Sequence, residues 1–77
     1  MDKAVVIAFG KVIQRKRKIL KMTQEELAFR ASLDRTCVSY VENARKVPSI
    51  VSIFAFANGL NVSASYLISE VEKELKR

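Results

Sequence analysis

One short segment, RTCVSYVE, carries polar side chains at helical spacing: Arg35, Thr36, Ser39 and Tyr40. Side chains at i, i+1, i+4 and i+5 project from one side of a helix. Arginine can donate two parallel hydrogen bonds to O6 and N7 of guanine, and threonine offers a hydroxyl and a methyl group to a base edge. Asp34 is a good N-cap, which places Arg35 and Thr36 in the first turn. A helix entering the major groove N-terminus first presents that turn to the bases, so these residues suggest DNA base recognition.

A second helix start lies upstream of this segment and is expected to hold it in place. Thr23 and Glu26 fit a capping box, in which a hydroxyl and a carboxylate each accept a hydrogen bond from a backbone N–H group. The helix that follows ends at a break formed by Ser32-Leu33, and the next helix continues to about Asn43. Two capped helices joined by a tight turn predict a helix-turn-helix over residues 23–43.

The positive charge is concentrated in the first part of the chain. The net charge is +6; residues 1–46 hold eleven Lys and Arg against five Asp and Glu, whereas residues 47–77 hold three of each kind. A basic half suggests a polyanionic partner, and a neutral half suggests packing or self-association. Gln24 begins a helix whose free N–H groups attract anions, and we expect it to contact DNA phosphate. The alternative is that the basic residues serve only solubility.

A long first helix precedes the helix-turn-helix. It is predicted from about Lys3 to Leu20 after an N-cap at Asp2, and one face carries the basic run QRKRK. Gly10 in the middle of this helix indicates that a neighbour packs closely there. The apolar stripe at helical spacing consists of Val6, Phe9, Ile13 and Leu20.

The C-terminal part contains more apolar side chains than one small core can cover. Ser49 is the predicted N-cap of a fourth helix to about Leu60, and Ser63 that of a fifth. The fourth helix is apolar nearly all round, so it must be covered on more than one side. We therefore predict a dimer interface in residues 50–76, although a phenylalanine there could lie in the core instead. The predicted interface residues are Val51, Phe54, Ala55, Ile68 and Val71.

Composition limits the class of protein. Residues 1–77 are predicted to be a single all-α domain, with 49% hydrophobic residues, 2 Gly and 1 Pro. With one cysteine and no histidine, the sequence predicts no internal disulfide and no metal site, and we expect no cofactor. The sequence shows no nucleophile paired with a base, so nothing in it indicates an enzyme. The apolar runs are too short to span a membrane, so we expect a protein of the cytoplasm.

The stretch MTQEELAFRASLDRTCVSYVENARKVPSI resembles the Cro/repressor-type helix-turn-helix family (XRE-like). Within that family it is most similar to the controller proteins of restriction–modification systems. The resemblance implies a five-helix, lambda-repressor-like DNA-binding domain that acts as a homodimer. It also implies a bacterial transcriptional regulator that binds double-stranded DNA at a palindromic operator near its own promoter. RNA polymerase is then a further partner where the protein activates transcription.

The resemblance also assigns roles to individual residues. Arg17 matches an arginine that pairs with the glutamate matching Glu42. Cys37 matches a position beside the DNA face, with a redox role as the alternative. The base-facing positions correspond to Arg35, Thr36, Ser39 and Tyr40. The positions near the DNA backbone correspond to Gln24, Asn43, Arg45 and Lys46, to which we add Cys37.

Two positions depart from the family pattern. Ser32 stands in the turn where glycine is frequent, and Asn43-Ala44 stands where the family often has Asn-Gly. We expect Ser32 and Asn43 to adopt left-handed conformations. The alternative functions are a phage-type repressor and an antitoxin-type DNA-binding protein that also binds a protein partner. The sequence has no long polar tail of the kind that would wrap a toxin.

Overall fold

The computed structural model describes residues 2–77 and contains five helices. Within that range there are turns between the helices and no strand. No single helix of this range is long and apolar enough to cross a membrane; the helices Ile50–Gly59 and Ala64–Leu75 reach the required length and composition only as a pair bent by 101°. The helices are α1 (Lys3–Ile19), α2 (Gln24–Ala31), α3 (Arg35–Glu42), α4 (Ile50–Gly59) and α5 (Ala64–Leu75).

Every helix begins after a side chain that caps its N-terminus. The predicted caps are confirmed because an N-cap is a local interaction between a side-chain oxygen and a backbone N–H two or three residues later. In the capping box of α2, Glu26 N donates to Thr23 Oγ1 at 3.0 Å and Thr23 N donates to Glu26 Oε1 at 3.0 Å. The caps of the five helices are Asp2, Thr23, Asp34, Ser49 and Ser63.

The left-handed residue at the end of α3 differs from the prediction. Ser32 has φ 56° and ψ 38°, as expected. The prediction for Asn43 is wrong: its φ is −94°, and Ala44 is the residue with a φ of 57°. Ala44 N donates to Val41 O at 3.1 Å and Arg45 N donates to Tyr40 O at 2.8 Å, which is the hydrogen-bond pattern of a Schellman motif. A Cβ in this conformation costs roughly 1 kcal/mol, and the two closing hydrogen bonds offset it.

The core lies between all five helices. The Phe9 and Phe56 rings meet edge to face, with centroids 5.8 Å apart and an interplanar angle of 74°. The predicted α1 stripe is confirmed except at Leu20, which is half exposed because α1 ends one residue before it. The largest fully buried side chains are Phe56, Ile13, Leu27, Leu67, Val12, Val38 and Val41.

Helix α1 crosses the C-terminal end of α3 at Gly10, where the two backbones nearly touch. A Cβ at Gly10 would lie 2.5 Å from the Val41 carbonyl oxygen and 2.9 Å from that of Glu42. Only glycine fits at this distance, since the obstacle is backbone and cannot rotate away. The close neighbour predicted for Gly10 is thus the α3 backbone, and this contact with α1 fixes the position of α3.

Candidate nucleic-acid interface

The two sides of α3 differ in character. Val38 and Val41 are fully buried, so this side of the helix anchors it to the core. The opposite side, which we call the outer face of α3, is polar. Within residues 2–77, the Arg35 and Thr36 side chains take part in none of the hydrogen bonds or ion pairs. The outer face consists of the exposed residues Arg35, Thr36 and Tyr40 and the half-buried Ser39.

A buried ion pair holds the C-terminal end of α3 against α1. Arg17 Nε donates to Glu42 Oε2 at 2.7 Å, and Arg17 Nη2 donates to Glu42 Oε1 at 3.0 Å. The Glu42 side chain is 0% exposed and that of Arg17 is 10% exposed. Arg17 Nη1 also donates to the Met22 carbonyl oxygen at 2.8 Å. The hydrogen bonds to Glu42 raise the pKa of Arg17, against the opposing effect of burial. The pair that the family resemblance implies is present.

Gln24 connects the start of α2 to the same carboxylate. Its Nε2 donates to Glu42 Oε1 at 3.0 Å, so α1, α2 and α3 converge on Glu42. Through this hydrogen bond the Gln24 side chain helps to orient the helix-turn-helix. Because the residue is only half-buried, it also borders the surface of that motif. A bidentate arginine and a third donor together satisfy a buried carboxylate well.

The loop after α3 carries two exposed cations. Arg45 and Lys46 are exposed, and Asn43 Nδ2 donates to the Ser39 carbonyl oxygen at 2.9 Å. Lys46 Nζ lies 3.8 Å from Cys37 Sγ. The prediction of a DNA contact for Cys37 is wrong. The residue is only 9% exposed, because it lies on the buried side of α3 and packs in the core.

Part of the predicted dimer interface is exposed and part is not. The exposed fraction is 75% for Val51, 60% for Phe54 and 40% for Ile68, while Ala55 is half-buried. We call these four residues the α4–α5 patch. Val71 is 5% exposed and packs in the hydrophobic core, so it adds little exposed surface to this patch. Periodicity places it on the apolar stripe of α5 but does not say which neighbour covers it.

Ion pairs between α1 and α5 use part of the basic run QRKRK of α1. Lys16 Nζ lies 2.9 Å from Glu70 Oε1 and donates to the Tyr66 hydroxyl at 2.9 Å. Arg15 pairs with Glu74. The hydrogen bond from Lys16 lowers the pKa of Glu70, and that from Arg15 lowers the pKa of Glu74. The sequence does not predict these pairs because their partners are fifty or more residues apart.

These lowered pKa values predict an acid-sensitive contribution to stability. A carboxylate with a lowered folded-state pKa stabilises the fold above its ordinary pKa, and this effect is lost as the pH falls through the folded value. Glu70→Gln and Glu74→Gln should therefore lower the urea midpoint at pH 7, and this deficit should shrink as the pH falls through the lowered folded-state pKa values. Glu72→Gln, on the exposed side of α5, is the control. A deficit that persists unchanged at pH 3 would contradict this assignment.

Comparison with known proteins is consistent with this geometry. Residues 13–67 match the helix-turn-helix family. The control protein C.MunI of Mycoplasma sp is 35% identical over 71 residues, which cover 91% of this chain and 96% of that protein.

Solved structures of controller proteins have the same fold. The wild-type restriction–modification controller C.Esp1396I superposes with a TM-score of 0.88 and 32% identity, covering 95% of this chain and 94% of the other. The C.Esp1396I tetramer in complex with its natural 35 base-pair operator gives 0.89 and 32%, with coverage of 95% and 96%. C.AhdI from Aeromonas hydrophila gives 0.77 and 32%, covering 80% and 94%. With its helix-turn-helix match and this similarity along most of its length, the chain belongs to the helix-turn-helix family and, within it, to the restriction–modification controller proteins.

Proposed function

We propose that this protein is a sequence-specific transcriptional regulator that controls a restriction–modification operon by binding its own promoter region as a homodimer. The outer face of α3 carries this proposal. In its first turn the side chains of Arg35 and Thr36 are exposed and have no partner among residues 2–77, while Arg17 and Glu42 lock the other end of the helix. A rigid helix with unengaged donors at its N-terminus is suited to the major groove. The operator complex of the similar controller C.Esp1396I supports it.

Base readout and backbone positioning fall to different residues. On the outer face of α3, Arg35 and Thr36 contact base edges, and Ser39 and Tyr40 extend this contact along the groove. The start of α2 and the loop after α3 flank the outer face and meet phosphates on either side. The proposed backbone contacts are Gln24, Asn43, Arg45 and Lys46.

The homodimer gives the protein two recognition helices related by a twofold axis. The α4–α5 patch is the proposed interface, because it exposes Val51, Phe54 and Ile68 on neighbouring helices. A twofold dimer matches a palindromic operator, with one half-site for each α3. In this proposal residues 1–77 work as one domain in the bacterial cytoplasm, bound to DNA. The domain acts by binding alone, without catalysis or a cofactor.

The proposal is tested by separating two kinds of basic residue. Arg35→Ala should cost about 1–3 kcal/mol per half-site on the operator and flatten preference at one base pair, which we expect to be G·C. Lys46→Ala should weaken operator and random DNA by similar factors and reduce the salt slope by about one contact per subunit. Lys76→Ala, at the exposed end of α5, is the matched control and should change neither. The measurement is competition binding on a series of operator variants at several salt concentrations.

Two results would contradict the assignment. Equal loss of affinity on every sequence for Arg35→Ala would make Arg35 a phosphate contact, and specificity would then reside in Thr36, Ser39 and Tyr40 or in DNA shape. An affinity of the unmodified protein for DNA that does not change with salt would contradict the proposed phosphate contacts of this basic part of the chain.

A further inference from the structure

An apolar pocket opens where α1, α4 and α5 meet the loop between α3 and α4. We call it the α1 pocket. Its volume is about 130 Å³, and every lining residue is apolar, including Val5 of α1, Val47 of the loop, Ile53 of α4 and Ile68 of α5. Within residues 2–77, no charged side chain lines it. Such a pocket suits an apolar group and disfavours a polar one.

The volume corresponds to one aromatic ring. An apolar cavity of roughly 150 Å³ binds benzene in a well-studied engineered protein, so about 130 Å³ with an open mouth accommodates a phenyl group. The α1 pocket is therefore large enough for a phenylalanine side chain and too small for a helix.

The same face of the molecule presents such a ring. Phe54 is 60% exposed, whereas Phe56, two residues further along α4, is fully buried. Phe54 directly follows Ile53, which lines the α1 pocket, and Ile68 belongs both to the pocket and to the α4–α5 patch. A protruding ring and a residue that lines a pocket of its size are thus consecutive along α4.

The area that a dimer must bury favours use of both features. A standard interface buries roughly 800 Å² on each partner. One aromatic side chain buries at most about 250 Å² and an aliphatic one less, so Val51, Phe54 and Ile68 cannot reach that area by themselves. The surface has to extend further, and Val5 (42% exposed) and Val47 (49% exposed) at the pocket rim continue it with apolar residues.

We propose that the α1 pocket receives Phe54 of a second copy of this chain, and that its own Phe54 enters the pocket of that copy. A twofold interface is self-complementary, so a protruding ring and a pocket on one face are both used, each twice. This proposal rests on the homodimer of the proposed function. It adds the N-terminal turns of α1 and the loop before α4 to the interface, and it makes Phe54 the central anchor residue.

The test is a double-mutant cycle on the dimer dissociation constant. Phe54→Ala removes the ring, and Val5→Phe fills the pocket mouth from within the same chain. Each change alone should raise the dissociation constant by roughly 10- to 100-fold. The double variant should be no weaker than either single variant, because a blocked pocket loses nothing when the ring is absent. Sedimentation equilibrium measures all four proteins, and Phe29→Ala, an 87% exposed ring on α2, is the control.

A second readout covers the case in which Val5→Phe disturbs α1. The chain contains no tryptophan, so Phe54→Trp introduces a single tryptophan, whose emission is distinct from that of the two tyrosines. Its emission should shift to shorter wavelength and become protected from acrylamide as the protein dimerises, whereas Phe29→Trp should stay exposed. Multiplicative effects in the cycle, or an exposed Trp probe in an intact dimer, would overturn the pocket assignment and leave the proposed function standing. A wild-type protein that stays monomeric at all concentrations and on DNA would overturn both.

Discussion

Glu42→Ala is expected to lower the free energy of unfolding by about 3–5 kcal/mol, because it leaves the Arg17 guanidinium buried without its counter-charge. The Glu42 side chain is 0% exposed, so water cannot replace the lost carboxylate without opening the domain. Gln24 Nε2 loses its acceptor in the same step. Since small domains have only about 5–15 kcal/mol of stability, the variant should be partly unfolded at 37 °C. Urea denaturation followed by circular dichroism measures the loss.

A matched control and a rescue define what this loss means. Glu25→Ala removes an exposed carboxylate from the first turn of α2 and should change stability by less than about 1 kcal/mol. The double variant Arg17→Met with Glu42→Leu removes both charges and should recover much of the stability, because apolar residues of similar volume often replace a buried ion pair without cost. If Glu42→Ala were as stable as Glu25→Ala, the pair would be solvated rather than buried.

The second large effect is expected at the dimer interface. Val51→Glu places a charge on an apolar patch, and the cost of desolvating that charge should leave the protein monomeric. A monomer holds one half-site and loses the gain from linking two, which amounts to a factor of roughly 10²–10⁴ in operator affinity. Helix content should stay nearly constant, because Val51 is 75% exposed in the domain. Sedimentation and operator binding measure the two effects.

The control for this prediction repeats the same chemical change elsewhere. Phe29→Glu introduces the same charge at an 87% exposed position on α2 and should leave the dimer intact. Ile68→Glu, on the other helix of the patch, should behave like Val51→Glu. Dimers in both patch variants would show that the interface lies elsewhere on the molecule.

The helix starts could be predicted from the sequence because the interactions that define them are local. An N-cap such as Thr23 or Asp34 needs only the backbone N–H groups of the next turn, and the structure confirms both. The end of α3 was less predictable. Alanine carries no signal for a left-handed conformation, so the sequence favoured Asn43 where the structure uses Ala44.

The residues of the candidate site could be predicted where their spacing places them on one side of a helix. They were less predictable where segments distant in the sequence meet. The outer face of α3 follows from the spacing of Arg35 and Thr36 opposite Val38 and Val41. The burial of Cys37 depends on the core around it and on Lys46, which lies over its thiol. The ion pairs between α1 and α5 join the two ends of the chain, and no short sequence pattern encodes such a contact.

The side chains that hold α3 in place are different from those on its outer face. Gly10 and Arg17 of α1 and Glu42 of α3 fix the helix from behind. The Arg35 and Thr36 side chains, by contrast, form no hydrogen bond or ion pair within the part of the chain that the structure describes. Under the proposed function, substitutions on the outer face can change the preferred operator without endangering the fold. Selection can then move a controller and its operator together in small steps, each through a stable protein. Two related controllers that enter the same cell can in this way diverge until neither binds the operator of the other.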